Sequence, residues 1–238
     1  MDSLDNFMQT CSPTANRPLL GLTVLVVEDS RFASQAMRLL CLRSGARIRR
    51  ADSLQSAKRH LAVYRPSAVI IDIGLPDGSG VDLIRELAIA TPRVSVILGT
   101  SGDPASETLS LKAGADGFIE KPISNIGLFQ SKILKHLPKE QQPKGLRVIS
   151  DDVIVPDEVA LRDDLAAAAV ALEGSENART LRYVTQFLGG IARSVDDAHL
   201  EQETEALAHL QTTGREVNGQ IERVTELVQR RISRTALM

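Results

Sequence analysis

The stretch LTVLVVEDS, residues 22–30, decides the fold. Its first six residues are an almost unbroken apolar run rich in β-branched side chains, followed at once by two acids and a serine. A run without polar alternation fits a strand buried on both faces, as in a parallel sheet, rather than a strand with one wet side. A second such run, SAVIIDI at residues 67–73, also carries an acid near its end, Asp72. Working outward, the first run leads into a stretch with Ala36, Leu39, Leu40 and Arg43 at helical spacing, closed by Gly45. Further strands are predicted at residues 46–51, 94–98 and 117–119, and helices at 54–64, 81–90, 105–112 and 124–136. This regular β/α alternation predicts an α/β domain: a five-stranded, doubly wound parallel sheet with helices on both faces.

The flanks have a different texture. Residues 1–20 are polar, contain Pro13 and Pro18, and read as a loose N-terminal arm before a domain over 21–137. Residues 138–155 read as a linker, with Pro138, Pro143 and Gly145, and with VISDDVIV (148–155) as a short hairpin or an extended strap. Residues 156–238 read as all-α. Leu161, Leu165, Ala168 and Leu172 form one stripe, stopped by Gly174; Leu181, Val184, Leu188 and Ile191 form a second. Gly189-Gly190 in that second helix either permits close helix packing or breaks it. Ser194 and Asp197 have capping-box spacing for a third helix. That helix is predicted to run unbroken to about residue 233, a length of ~60 Å. Its Leu207, Leu210, Gly214, Val217, Ile221, Val224 and Val228 make a heptad seam, which predicts a coiled-coil homodimer. An intramolecular bundle with the two shorter helices is the alternative.

The chain has 238 residues, 28 Lys and Arg, and 30 Asp and Glu. The net charge of −2 divides unevenly: residues 1–142 hold 17 basic and 14 acidic side chains, hence +3, leaving −5 for the rest. Aromatics are 3% with no Trp, which disfavours folds that stack nucleobases on exposed rings. No apolar run has the roughly 18–20 residues of a membrane span, and the opening MDSLDNF lacks the basic start of a secretory leader. Cys11 and Cys41 form neither a disulfide framework nor a metal cluster. Together these predict a cytoplasmic protein. Arg47, Arg49 and Arg50 read as a solvated edge strand.

Sheets of this type carry their functional residues at the carboxyl ends of the strands. Those ends here hold Glu28, Asp29 and Ser30, then Asp72 with Gly74, then Gly99, Thr100, Ser101 and Gly102, then Phe118, Glu120, Lys121 and Pro122. Three carboxylates, a hydroxyl and a lysine therefore converge on one crevice. Three close carboxylates disfavour one another's ionisation unless a cation sits among them, and a hard divalent ion with oxygen ligands fits. A carboxylate nucleophile beside such an ion and a lysine suits in-line capture of a phosphoryl group.

Residues 20–137 resemble the receiver domain of two-component response regulators. The resemblance rests on VVEDS (26–30), DIGLPDGSG (72–80) and GADGF followed by Glu120-Lys121-Pro122. It implies the flavodoxin-like fold and Mg2+ as cofactor. It implies a phosphoacceptor rather than an enzyme acting on a separate substrate, with Asp72 taking phosphate from a histidine kinase or phosphotransfer protein. By position, Asp29 and Asp72 would be side-chain metal ligands, Gly74 would offer its carbonyl, and Glu28 would act through metal-bound water. Lys121 would pair with the phosphoryl oxygens, and Phe118 stands at the switch aromatic position. One departure concerns the switch hydroxyl: counting back from Lys121 lands on Gly99, whereas counting forward from Asp72 allows Thr100 or Ser101. His199 and His209 lack the neighbours of phosphotransfer histidines and read as surface residues. The expected output of the helical half is dimerisation or a protein partner. A DNA-binding transcriptional regulator and a non-cycling pseudo-receiver are the alternatives; the acidic second half argues against DNA.

Overall fold

The computed structural model describes residues 12–144, 149–174 and 177–235. The first half is a parallel sheet in the order β2-β1-β3-β6-β7, formed by β1 (Thr23–Val27), β2 (Arg47–Ala51), β3 (Ala68–Asp72), β6 (Val96–Ser101) and β7 (Gly117–Glu120). The short strands β4 (Gly74–Leu75) and β5 (Gly78–Ser79) make a separate antiparallel hairpin just after β3. The helices are α1 (Arg31–Arg43), α2 (Leu54–Val63), α3 (Gly80–Ile89), α4 (Ala105–Lys112) and α5 (Ile126–Leu134).

The two-residue period of a strand explains why the runs are wholly apolar. In β3, Ala68 and Ile70 face Met37 and Leu40 of α1 and Phe129 and Ile133 of α5. Val69 and Ile71 face the other layer, with Ala57 of α2 and Leu83 and Ile84 of α3. Burying one such Leu or Ile stabilises by roughly 1.5–3 kcal/mol. Edge strand β2 keeps Arg47, Arg49 and Arg50 exposed, as its composition predicts. Helix starts follow the local sequence: Ser30, Ser53, Ser79 and Asn125 each accept a backbone N–H of the first turn.

Three boundaries differ from expectation. Strand β6 runs on through Gly99, Thr100 and Ser101, because Asp72 pairs with Thr100 and β7 continues the ladder to Ser101. The arm does not stay loose to its end: Leu19 is fully buried in the α1/α5 layer, and its N–H donates to the Ser44 carbonyl. The linker segment also packs back. Ile154 is buried in that same layer, and Ile126 and Ile154 exchange backbone bonds with Asp152 and Ser124, so this part is a strap. Cys41 is buried, and burial pushes its thiol up to about 12; Cys11 lies outside the described residues.

The second half is a helical bundle of α6 (Glu158–Glu173), α7 (Ala178–Ser194), α8 (Ala198–Thr213) and α9 (Asn218–Thr235). The first two match the expected stripes, Gly174 caps α6, and α7 runs through Gly189-Gly190 without a break. The long coiled-coil helix is not formed. Gly214 adopts a left-handed conformation (φ 65°), returns its N–H to the Leu210 carbonyl and ends α8. The chain then turns back, and Leu207, Val224 and Val228 of the seam pack against Leu165, Leu172, Val184 and Leu188 of the shorter helices. The seam expected to join two chains is thus buried inside one. Nor does Ser194 begin a helix: it is the last residue of α7, and Asp197 caps α8 by accepting the Leu200 N–H. His199 and His209 lie exposed on α8. No helix among the described residues is long and apolar enough to cross a membrane.

The two halves meet at the carboxyl edge of the sheet. Asp164 of α6 accepts the Arg31 and Phe32 N–H groups at 2.9 and 3.0 Å and the Ser30 hydroxyl at 2.8 Å. It thereby satisfies donors that the first turn of α1 cannot satisfy itself, and it places a carboxylate at the positive end of the helix dipole. Arg31 also pairs with Asp163 at 2.6 Å.

Candidate functional site

Parallel strands bring their carboxyl ends to one edge, so Glu28 and Asp29 after β1, Asp72 at the end of β3 and Lys121 after β7 converge there. Carboxylate oxygens of Glu28, Asp29 and Asp72 lie within 4.8 Å of one another. Lys121 Nζ stands between two of them, 2.6 Å from Asp72 Oδ2 and 2.7 Å from Glu28 Oε2, and is itself only 10% exposed. Gly80 permits the turn that holds Asp72 in place, since a Cβ there would come 1.9 Å from the Asp72 carbonyl oxygen.

One lysine offsets one of three carboxylates when all are ionised. Burial pushes the Glu28 carboxyl well above its ordinary range; Lys121 opposes this, and Asp72 and Asp29 add to it. Burial raises Asp29 to about 6, against a hydrogen bond from Tyr183 and with a further push from Asp72. Burial disfavours the Lys121 charge, but Asp72 and Glu28 outweigh it and hold the ammonium above its usual range. Asp29 Oδ1 is buried and has no hydrogen-bond partner. An orphaned carboxylate oxygen in a cluster two charges short of neutral is a donor set that fits a hard divalent cation. Gly74 lies beside this cluster, but the contact formed is that of its amide, which donates to Asp72 Oδ1 at 3.2 Å.

The candidates on β6 and β7 separate. Ser101 lines the cleft with Asp72 and Lys121. Thr100 is fully buried, and its hydroxyl donates to the Ile119 carbonyl at 2.7 Å. Gly99 pairs with Phe118 in register, and a Cβ at Gly99 would stand 3.2 Å from the Phe118 ring. Phe118 is buried in the α2/α3 layer.

The helical half closes the other side of the cleft, through residues not singled out from the sequence. The Tyr183 hydroxyl donates to Asp29 Oδ2. Gln186 packs on Gly74, and the Arg193 guanidinium packs on Gly102. What remains between the halves is a cavity of about 50 Å3. A signal existed: Tyr183, Gln186 or Phe187, Gly190 and Arg193 recur every three or four residues along α7. They form a second stripe beside the apolar one, and such a stripe also reads as a solvated face, so only the docked structure gives it a target.

Comparisons with known proteins bear on the first half. Residues 24–132 match the family of the response regulator receiver domain. KdpE of Escherichia coli, the KDP operon transcriptional regulatory protein, is 32% identical over 110 residues, covering 46% of this chain and 48% of KdpE. PhoP of Salmonella typhimurium, a virulence transcriptional regulatory protein, is 29% identical over 102 residues, covering 42% and 46%. The match spans about half the length of these curated relatives. Among solved structures, the signal receiver domain of a histidine kinase from Syntrophus aciditrophicus is 23% identical, with a TM-score of 0.46, covering 54% of this chain and 99% of that one. Glu28, Asp29, Asp72 and Lys121 fall inside the matched region, whereas Tyr183, Gln186 and Arg193 fall outside it.

Proposed function

We propose that this chain, whose residues 24–132 are a response regulator receiver domain, accepts a phosphoryl group on Asp72 and relays its presence to the helical half. The observation that carries this reading is the Asp72 carboxylate itself, held by Lys121 at 2.6 Å and opening on a cleft lined by both halves. The donor is the phosphorylated imidazole of a histidine kinase or phosphotransfer protein. An Asp72 oxygen attacks phosphorus, the P–O bond forms as the P–N bond breaks, and the departing imidazole takes up a proton.

Catalysis in such a transfer is mostly positioning and charge neutralisation. Lys121, 2.6 Å from Asp72 Oδ2, neutralises phosphoryl oxygens beside the nucleophile. Ser101 offers a hydroxyl from the wall of the cleft. Asp29 and Asp72 would hold Mg2+ directly, with Glu28 behind them, and the ion would supply the two positive charges the cluster lacks. The chain is a phosphoacceptor, with no reaction beyond gain and loss of its own phosphoryl group. The relatives named as transcriptional regulators align with little more than the receiver, and the helical half carries −5. A protein partner therefore suits the output better than DNA does.

Incubation with acetyl phosphate and Mg2+ should add one phosphoryl group to the wild type and none to Asp72→Asn, and chelation by EDTA should prevent it. Equal labelling of the two proteins would sink the reading.

A further inference from the structure

Arg193 lies on the last turn of α7, and its guanidinium reaches out of the bundle to the mouth of the cleft. Helical side chains lean toward the N-terminus of their helix. This one lies back over Gly189, with both terminal nitrogens 3.7–3.8 Å from where a Cβ would stand. Gly190 lines the cleft itself and has nothing within 4 Å of its own Cβ position. Gly189 also lies against Thr204 of α8, whose Oγ1 stands 3.5 Å from that Cβ position, so the glycine pair sits where α7 meets both α8 and the Arg193 side chain.

The guanidinium is incompletely paired. Its Nε is buried without a hydrogen-bond partner. The nearest acid is Glu201, at 3.6 Å from Nη1, too far for a hydrogen bond. Its other face packs on Gly102, with Nε 3.0 Å and Nη2 3.1 Å from where a Cβ would sit. Gly102 directly follows Ser101, and both line the cleft with Asp72 and Lys121. An arginine with a free buried donor therefore lines the same cleft as Asp72 and Lys121.

We propose that Arg193 is a phosphoryl-binding residue supplied to the receiver by the helical half. The inference rests on the reading of Asp72 as phosphoacceptor and adds the element that senses the modification. Phosphorylation replaces a single negative charge by a group of about −1.5 to −2 with three strong acceptor oxygens. A guanidinium fork matches such a group with two parallel bonds, which an ammonium cannot do. Arg193 exchanges its loose contact with Glu201 for these bonds, and because α7 carries it, the pairing repositions the bundle against the receiver.

Beryllofluoride with Mg2+ serves as the phosphoryl mimic. The chain has two tyrosines and no Trp, so a Tyr64→Phe background leaves Tyr183, in the cleft, as the fluorescent reporter. In full-length protein, Arg193→Ala should raise the half-saturating beryllofluoride concentration about ten-fold or more, and Arg193→Lys should recover part of the loss. Glu201→Gln discriminates the two roles Arg193 can have. If Arg193 binds the phosphoryl group, removing its competitor tightens binding; if Arg193 only holds Glu201, the two substitutions weaken binding alike. Unmoved half-saturation in Arg193→Ala, or weaker or unchanged binding in Glu201→Gln, overturns the proposal. Glu201→Gln decides alone should Arg193→Ala not fold. Acetyl phosphate labelling is run beside it: loss of labelling in the wild type removes the phosphoacceptor reading as well, whereas intact labelling with unmoved half-saturation removes only the role of Arg193.

Discussion

Gly99 stands where counting back from Lys121 expects a hydroxyl, and the packing shows why a side chain is excluded. A Cβ would come 2.5 Å from Ser110 Oγ, 2.8 Å from Ser110 Cβ and 3.2 Å from the Phe118 ring. Ser110 is itself fixed, its hydroxyl donating to the Ser106 carbonyl at 2.8 Å within α4. Strand alternation then sorts the next two residues: the Thr100 hydroxyl ties β6 to β7, and only Ser101 reaches the cleft. Gly99→Ala should therefore destabilise the chain by about 1–3 kcal/mol, the usual cost of overpacking, seen as a lower urea midpoint at unchanged slope. A wild-type midpoint would show that α4 gives way without cost. The carboxylates and Lys121 were legible from the sequence because strand ends converge by topology alone. The hydroxyl was not, because its register turns on where β6 stops, and an apolar run followed by small polar residues does not mark that point.

The same contrast holds for elements. The buried strands and the stripes of α6 and α7 follow from hydrophobic period, and the structure keeps them. The long helix after residue 194 fails at two points that period cannot weigh. Gly214 fits a heptad seam as a gap and a helix end as a left-handed cap, and the choice depends on whether the shorter helices offer an apolar face to fold back upon. Asp197 secures the resulting geometry. It caps α8 and takes both Nε and Nη2 of Arg231 on α9, at 2.5 and 3.0 Å. The hydrogen bond from Arg231 holds the Asp197 carboxyl below its ordinary 3.8, against the opposing effect of burial. A carboxylate with a lowered folded-state pKa stabilises above its unfolded value, and that stability is lost as pH falls through the lowered one. Asp197→Ala should thus cost about 1–3 kcal/mol at pH 7, a cap plus a paired charge. The gap to wild type should narrow below pH 3.8 in urea melts at pH 7 and pH 3. A gap independent of pH would assign the loss to packing.

For the whole molecule, the net charge of −2 conceals a receiver half at +3 facing a helical half at −5. Opposite signs favour the docked arrangement and orient it, and the docked arrangement covers Asp72. A cavity of about 50 Å3 has room for a few waters or a compact oxyanion, and an imidazole brought by a protein donor must pass the α7 side chains Tyr183, Gln186 and Arg193 that line it. On the proposed function, transfer from a protein donor is favoured when the halves part, and its rate scales with the population of the parted state. Asp164 is the contact to remove. It holds the first turn of α1 by three hydrogen bonds, touches none of the groups that would bind phosphate, and each bond to a charged acceptor is worth about 1.5–3 kcal/mol. Asp164→Ala should raise the parted population, speeding acetyl phosphate labelling of Asp72 about ten-fold or more. The Arg31 and Phe32 amides, left without their acceptor, should exchange with solvent faster by a similar factor. Faster exchange with an unchanged labelling rate would mean that small donors reach Asp72 through the closed cleft. In that case the bundle would discriminate among donors by size rather than restrain phosphorylation as such.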